Sequence, residues 1–338
     1  MQSIDFRISF TKIRITRFLF LPISMLLLFT ASLLTSSLAH AVFLGHNFRG
    51  DYGLLSGTQP DPGLYISAMY LRYDADKLLN SDGDPIGPDP GQPGSIDINS
   101  YAASLWYVSD FKLLGANYGF MLFPALTNNA LEAPIFGLDQ STNTGFTDFY
   151  FQPINLGWHT QRADFTAGLG VVAPTGRYEP GASDNLGLGM WSFEPFAGAT
   201  IYFDEARTWH LATTAFYEIH TKKRNTDIRV GDILTLEGGL GKSFLDGTLN
   251  IGVSYYAQFQ VTYDDVGPDI DPFLKGRKLP KQRVFGVGPE ITIPIMTSNT
   301  LYGFLNARFF WETGARSTLE GTTLTITATF PIPSVSLQ

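Results

Sequence analysis

The side chains of this chain that could do chemistry are carboxylates, amides and aromatic rings, set at every second position of long alternating runs. Asp148, Tyr150, Glu194, Glu218, Glu237, Tyr256, Gln258, Gln260, Glu290 and Arg308 fall on the face opposite the aliphatic one, and Trp106 adds a further ring. Carboxylates gathered on one concave wall attract cations and repel other carboxylates, while tyrosine and tryptophan offer stacking faces to neutral aromatic molecules. Glu194, Glu218 and Glu237 are expected to form an acidic arc in the outer half of three neighbouring strands. Glu290 and Arg308 should lie at similar depth, where they could pair. The bland alternative is that such charges satisfy one another inside a narrow wall.

Motifs for catalysis or cofactors fail on inspection. Gly239-Leu-Gly-Lys-Ser243 resembles the end of a phosphate-binding loop, but Leu236 stands where its first glycine must be. Gly168-x-Gly170-x-x-Ala173 half-matches a dinucleotide fingerprint without the helix that should follow. Asn80-Ser-Asp82-Gly-Asp84 has the carboxylate density of a calcium loop, yet no glutamate stands at its twelfth position, so a solvated loop is expected. After residue 41 the histidines are His46, His159, His210 and His220. None has serine and carboxylate at a catalytic spacing, and His46 and His159 are expected at the surface. The chain has no cysteine, which excludes disulfides and thiolate metal sites. The expectation is therefore no enzyme, no cofactor and no metal.

The elements that must position the polar residues are strands. In residues 248–264, Leu249, Ile251, Val253, Tyr255, Ala257, Phe259, Val261 and Tyr263 alternate with Asn250, Gly252, Ser254, Tyr256, Gln258, Gln260 and Thr262. A period of two is the side-chain period of a β-strand, with one face against something oily and the other wet. Soluble strands run to five or six residues, whereas a tilted membrane-spanning strand needs about 9–11. Similar segments are predicted at 64–74, 96–108, 116–123, 147–158, 163–173, 190–203, 208–220, 232–244, 248–263, 283–294, 300–312 and 321–331.

The connections sort by length. Long ones (Ala75–Ser95, Pro124–Phe146, Pro174–Gly189, Asp264–Gln282) and medium ones (Thr221–Gly231, Thr313–Glu320) alternate with short turns such as 159–162, 204–207 and 245–247. Brief periplasmic turns and longer extracellular loops are the habit of outer-membrane barrels. In the last strand Leu324, Ile326, Ala328 and Phe330 should face lipid and Thr323, Thr325, Thr327 and Thr329 the interior, a closing strand of the type read by barrel-assembly machinery. Girdle aromatics are expected at Trp158, Tyr202 and Trp209 on one side and Trp191, Tyr263 and Trp311 on the other. The predicted fold is all-β: a transmembrane antiparallel up-and-down β-barrel of about 12 strands over residues 62–338, with a narrow bore.

Arg7, Lys12, Arg14 and Arg17 precede the mostly apolar run Phe18–Leu38, and Ala39-His-Ala41 fits a small-x-small cleavage site. Residues 1–41 are read as a signal peptide, with the mature chain starting at Val42. No other segment approaches 18 apolar residues, which excludes helical spans. The formal charge of −8 falls to near −11 without residues 1–41. An acidic chain lacking basic runs is a poor partner for nucleic acid or anionic lipid, and an acidic interior argues against an anion pore. Residues 42–61, with Gly45, Gly50, Gly53 and Gly57, leave two courses open: a loose periplasmic tail, or a segment folded into the lumen as a partial plug.

Several stretches resemble the outer-membrane family named for the meta-cleavage pathway of phenol degradation. Pro62-Gly-Leu-Tyr65, leading into Tyr70-x-x-Tyr73-Asp-Ala-Asp76, is similar to its opening strand, and Gly145-Phe-Thr-Asp148 to its glycine–aspartate motif. The most specific match is Ala173-Pro-Thr-Gly176-Arg-Tyr178, followed by Gly187-x-Gly189-x-Trp191-x-x-x-Pro195. Gly231-Asp232 with Glu237, Gly252-x-x-Tyr255-Tyr256-x-Gln258-x-Gln260, and Arg283-Val284 with Gly288-Pro289 follow in the family's order. The resemblance implies a barrel transporter of the Gram-negative outer membrane and supplies no catalytic or binding residue to carry over. The expected function is a channel for passive uptake of small, largely hydrophobic or aromatic compounds such as phenols. Its expected partners are outer-membrane lipid, such solutes and the barrel-assembly machinery. A structural or adhesive surface barrel without transport is the alternative, and an outer-membrane enzyme the third reading.

Overall fold

The computed structural model describes residues 44–86, 95–133, 138–267, 278–297 and 300–332; the segment read as a signal peptide lies outside them. Among the described residues twelve long strands form the wall. They are β1 (Gly63–Leu78), β2 (Ser95–Leu113), β3 (Ala116–Phe123, continued by Ala125–Ala133), β4 (Phe149–His159), β5 (Ala163–Ala173) and β6 (Ser192–Tyr202). β7 (Trp209–His220), β8 (Ile233–Phe244), β9 (Leu249–Gln260), β10 (Arg283–Thr297), β11 (Thr300–Arg316) and β12 (Leu319–Ile332) complete it. Each pairs antiparallel with the next, and β12 returns to β1 in a register running from Leu64↔Ile332 to Leu78↔Leu319. Among the described residues that last pairing leaves none of the twelve wall strands as an edge, the condition for a sheet to survive in lipid, where no water can satisfy a free N–H.

The alternation read in the sequence sets the two faces. Val253 is 52% exposed on the outside, while its neighbour Ser254 is 0% exposed and donates its hydroxyl to Glu290 inside. Val253→Arg should therefore cost about 2–4 kcal/mol of barrel stability, the range for a basic residue facing lipid near the midplane. Ser254→Arg should do something else: with no room beside Glu290, it should drive out what the barrel holds. Urea titrations in lipid vesicles check both. Equal destabilisation, with barrel contents retained, would contradict the face assignment.

Some strands run further than predicted. β1 continues through Leu78 and β11 through Arg316, so Thr313–Arg316 belongs to the wall rather than to a loop. Pro124, expected to open a long loop, instead sits inside a strand that continues along β2 from Ala102↔Ala125 to Ser95↔Glu132. A proline cannot donate to a ladder, but its carbonyl still accepts the Ala103 N–H at 3.1 Å, so that side of the sheet is unbroken. Tyr202, expected in a girdle, points inward and donates to Asp164 at 2.7 Å. Trp191, Trp209, Tyr263 and Trp311 are exposed on the outside.

Candidate functional site

Residues 44–61 run through the barrel interior, from the end with the long loops toward the end with the short turns. The segment forms no strand or helix, so its backbone N–H groups need partners from elsewhere. The inward carboxylates of the wall supply them. Glu218 accepts the N–H groups of His46 (2.6 Å) and Asn47 (3.3 Å), and Glu237 those of Gly50 (2.9 Å) and Tyr52 (2.8 Å). Glu290 accepts Leu54 N–H at 3.0 Å, and Glu194 accepts the Asn47 amide at 2.8 Å. Arg308 donates to the carbonyls of Gly50 and Asp51 and lies 3.4 Å from Glu290. Arg49 pairs with Glu312 at 3.4 Å. Nearer the turns, Thr58 donates to Asp164 (3.1 Å) and Gln59 to the Asn155 side chain (2.8 Å). A carboxylate accepting two N–H bonds satisfies an irregular segment in place of a strand partner, and such charge-assisted bonds are the strong ones.

The acidic arc thus exists as a set of wall positions, but its oxygens are turned onto the N-terminal segment. Glu237 is fully buried. Glycines make the fit possible. A Cβ at Gly53 would collide with the Glu290 carboxylate, and one at Gly57 with the backbone of Ala199.

At the long-loop end, Asp148 gathers three elements. It occupies an irregular step just before β4, where its side chain accepts N–H bonds from Gly176 (2.9 Å) and Leu188 (2.7 Å) in the loop between β5 and β6. Its Oδ2 also lies 2.8 Å from Nε2 of His46. Side chains at Gly176 or Gly187 would crowd this carboxylate, which explains two of the glycines in the most specific sequence motif. His46 continues to Ser192 Oγ at 2.7 Å through Nδ1. Serine, imidazole and aspartate at these distances resemble a hydrolytic triad. The Ser192 hydroxyl is nevertheless fully buried, and Glu218 lies 3.7 Å from the same ring, a charge that opposes an oxyanion. The arrangement works as a tie between the N-terminal segment, the wall and a loop. His46, expected at the surface, is its centre.

Beside the segment lies a cavity of about 360 Å³. Its apolar wall comes from Leu71, Ile96, Ile98, Phe123, Val172 and Leu319, and its polar edge from Asp148, Tyr150, Glu194 and Gln258. Tyr150 donates to Glu194 at 3.2 Å and accepts from Gln152 at 2.8 Å; Gln258 donates to Thr235 at 3.0 Å. The other candidates lie apart from this space. Tyr256 is buried and donates to Glu312 at 2.7 Å. Gln260 binds Asp264 at 2.6 Å, and Trp106 keeps a buried ring N–H without a partner among the described residues. At the mouth, burial pushes the Lys223 amine down to about 8, although Asp148 and Asp264 favour its charged form.

The fold is that of solved outer-membrane barrels. A COG4313 outer-membrane channel from Pseudomonas putida F1 superposes with a TM-score of 0.67 at 12% identity, covering 85% of this chain and 100% of that one. The β domain of the Bordetella autotransporter BrkA matches with a TM-score of 0.46 at 8% identity, over 80% of this chain and 100% of that one. A TodX variant described as a monoaromatic hydrocarbon channel gives a TM-score of 0.35 at 12% identity, over 81% and 91% of the two chains. No curated protein matches the sequence. The family model described as "Putative MetA-pathway of phenol degradation" matches residues 79–328, well over half of the chain. With the barrel and the Asp148 tie built from the motifs quoted above, the chain belongs to that phenol-degradation family of outer-membrane barrels.

Proposed function

We propose that this chain is an outer-membrane channel for passive entry of small, largely apolar or aromatic compounds of phenol-like size. One observation carries the reading: the cavity of about 360 Å³ with an aliphatic and aromatic wall and a few polar groups along one edge. Small-molecule sites span about 300–1,000 Å³ with that balance of surfaces. A neutral ring can lie against Ile98 and Phe123 while a hydroxyl reaches Tyr150 or Gln258. On this reading residues 1–41 direct export, the long loops face outward, and the short turns face the periplasm.

Ile98→Asp should lower the affinity for phenol on the order of tenfold, because a carboxylate in an apolar wall either stays hydrated in the cavity or is buried at a cost. Calorimetric titration with phenol, together with flux of the same solute into proteoliposomes, tests the proposal. Unchanged phenol binding in a folded Ile98→Asp barrel would remove the cavity from the argument.

A second reading has its own support. Residues 44–61 fill the lumen, as suits a structural or adhesive surface barrel without transport. Flux no faster than in protein-free vesicles, with binding intact, would favour it.

A further inference from the structure

The chain carries a net charge of −8, yet its exposed basic side chains are unevenly provided with partners. Arg72, Lys77, Lys222 and Arg229 each have a carboxylate at 2.7–3.3 Å. Lys278, Lys281, Arg283 and Arg316 have none among the described residues. These four meet on the outward side of β9, β10 and β11, at the long-loop end. Arg283 and Arg316 stand directly opposite each other in the register of β10 and β11. The amines of Lys278 and Lys281 lie 4.9 and 4.6 Å from the centre of the Tyr263 ring, and the Arg283 guanidinium 5.8 Å from that of Phe285.

Like charges directly opposite on a sheet destabilise it, unless something of the other sign lies between them. Phe259 stands opposite Arg283 in the register, and Phe285 and Trp311 lie further toward the middle of the strands; the rings of Phe259 and Phe285 pack edge to face with centroids 5.5 Å apart. The four cations therefore stand where an apolar belt meets water, the depth of lipid headgroups. Arginine's planar fork matches a phosphate with two parallel bonds, and the Tyr263 face holds the lysine amines at the interface.

We propose that Lys278, Lys281, Arg283 and Arg316 bind the phosphate groups of a phosphorylated glycolipid of the outer leaflet, with its acyl chains lying along Phe259, Phe285 and Trp311. The site is separate from the lumen and independent of what the barrel transports, and it rests on the reading that the long loops face outward.

Native mass spectrometry of the full-length protein in detergent tests this with three probes: diphosphoryl lipid A, its dephosphorylated analogue and inorganic phosphate. We expect a retained adduct with diphosphoryl lipid A and none with the analogue. The variant K278Q/K281Q/R283Q/R316Q should bind roughly 600-fold more weakly, since each cation at an anionic surface contributes roughly fivefold. The control K77Q/K222Q should bind as the parent does. Folding is read from heat-modifiable gel migration. If the fourfold variant fails to fold, K278Q/K281Q, changed outside the wall, is read instead and should bind roughly 25-fold more weakly. Equal binding of the dephosphorylated analogue, or undiminished lipid binding in the folded variants, would overturn the proposal. Displacement of the lipid by inorganic phosphate at equal concentration would overturn the lipid assignment.

Discussion

A barrel lacking residues 44–61 conducts steadily, whereas the full chain stays closed or opens briefly. This is the expected result in planar bilayers, because the segment fills the lumen of a wall that itself needs no part of it: β1 begins at Gly63 and closes on β12 without residues 44–61. The removal strips Glu218, Glu237 and Glu290 of five backbone N–H bonds. Water replaces those donors once the bore is open, so the cost falls on closure more than on the wall. The uncovered carboxylates should then give the truncated pore a cation preference that the full chain lacks. Gly57→Val offers the same test without a deletion, since its side chain collides with the Ala199 backbone and prevents seating. A truncated barrel that folds, as judged by heat-modifiable migration, and still carries no current would refute the plug.

Asp148→Ala should produce the second largest change. Its carboxylate accepts from Gly176 and Leu188 and contacts His46. Loss of the acceptor leaves the two N–H groups unsatisfied at about 1–3 kcal/mol each where they are buried. The loop between β5 and β6 should then open to protease at Arg177, and the outer end of the N-terminal segment should loosen. Asp148→Asn should be milder, because one amide oxygen still accepts. Limited proteolysis of reconstituted protein, scored beside single-channel openings, separates the two effects. A protease pattern identical to the parent in Asp148→Ala would deny this residue its role as the tie.

The wall was legible because its signal is repeated. Leu249 to Tyr263 alternate with a period that only a strand uses, and loop lengths sort the strands into ups and downs. The inward face of Glu194, Glu218, Glu237 and Glu290 could be read the same way. What these carboxylates touch could not. Their partners are backbone N–H groups, which every residue type carries and which leave no mark on composition. His46 meets Asp148 across 102 residues, with no local pattern in between. One trace was present in Gly45, Gly50, Gly53 and Gly57: a chain pressed closely against its neighbours cannot carry side chains at such points. The continuation of β3 past Pro124 was hidden for the opposite reason. Proline reads as a stop, yet here only its missing donor mattered, and its carbonyl kept the pairing with β2.

The segment that fills the barrel is also its earliest described stretch, and the wall carboxylates and Arg308 that hold its backbone come much later in the chain. His46 waits for Glu218 across 172 residues, Leu54 for Glu290 across 236, and Gly50 for Arg308 across 258. Contacts of such separation form late, since the loop between their ends must close first. The wall closes by the same long leap, from Leu64 to Ile332. Because residue 61 is only two positions from β1, the last strand pairing and the filling of the bore are one step in assembly. Until the ends meet, a sheet with an open edge and uncovered carboxylates must stay hydrated. A lesion in β12 should therefore leave residues 44–61 as protease-sensitive as a free peptide, although β12 meets their network at one remove, through the Gly321 N–H that donates to the Glu312 carboxylate paired with Arg49.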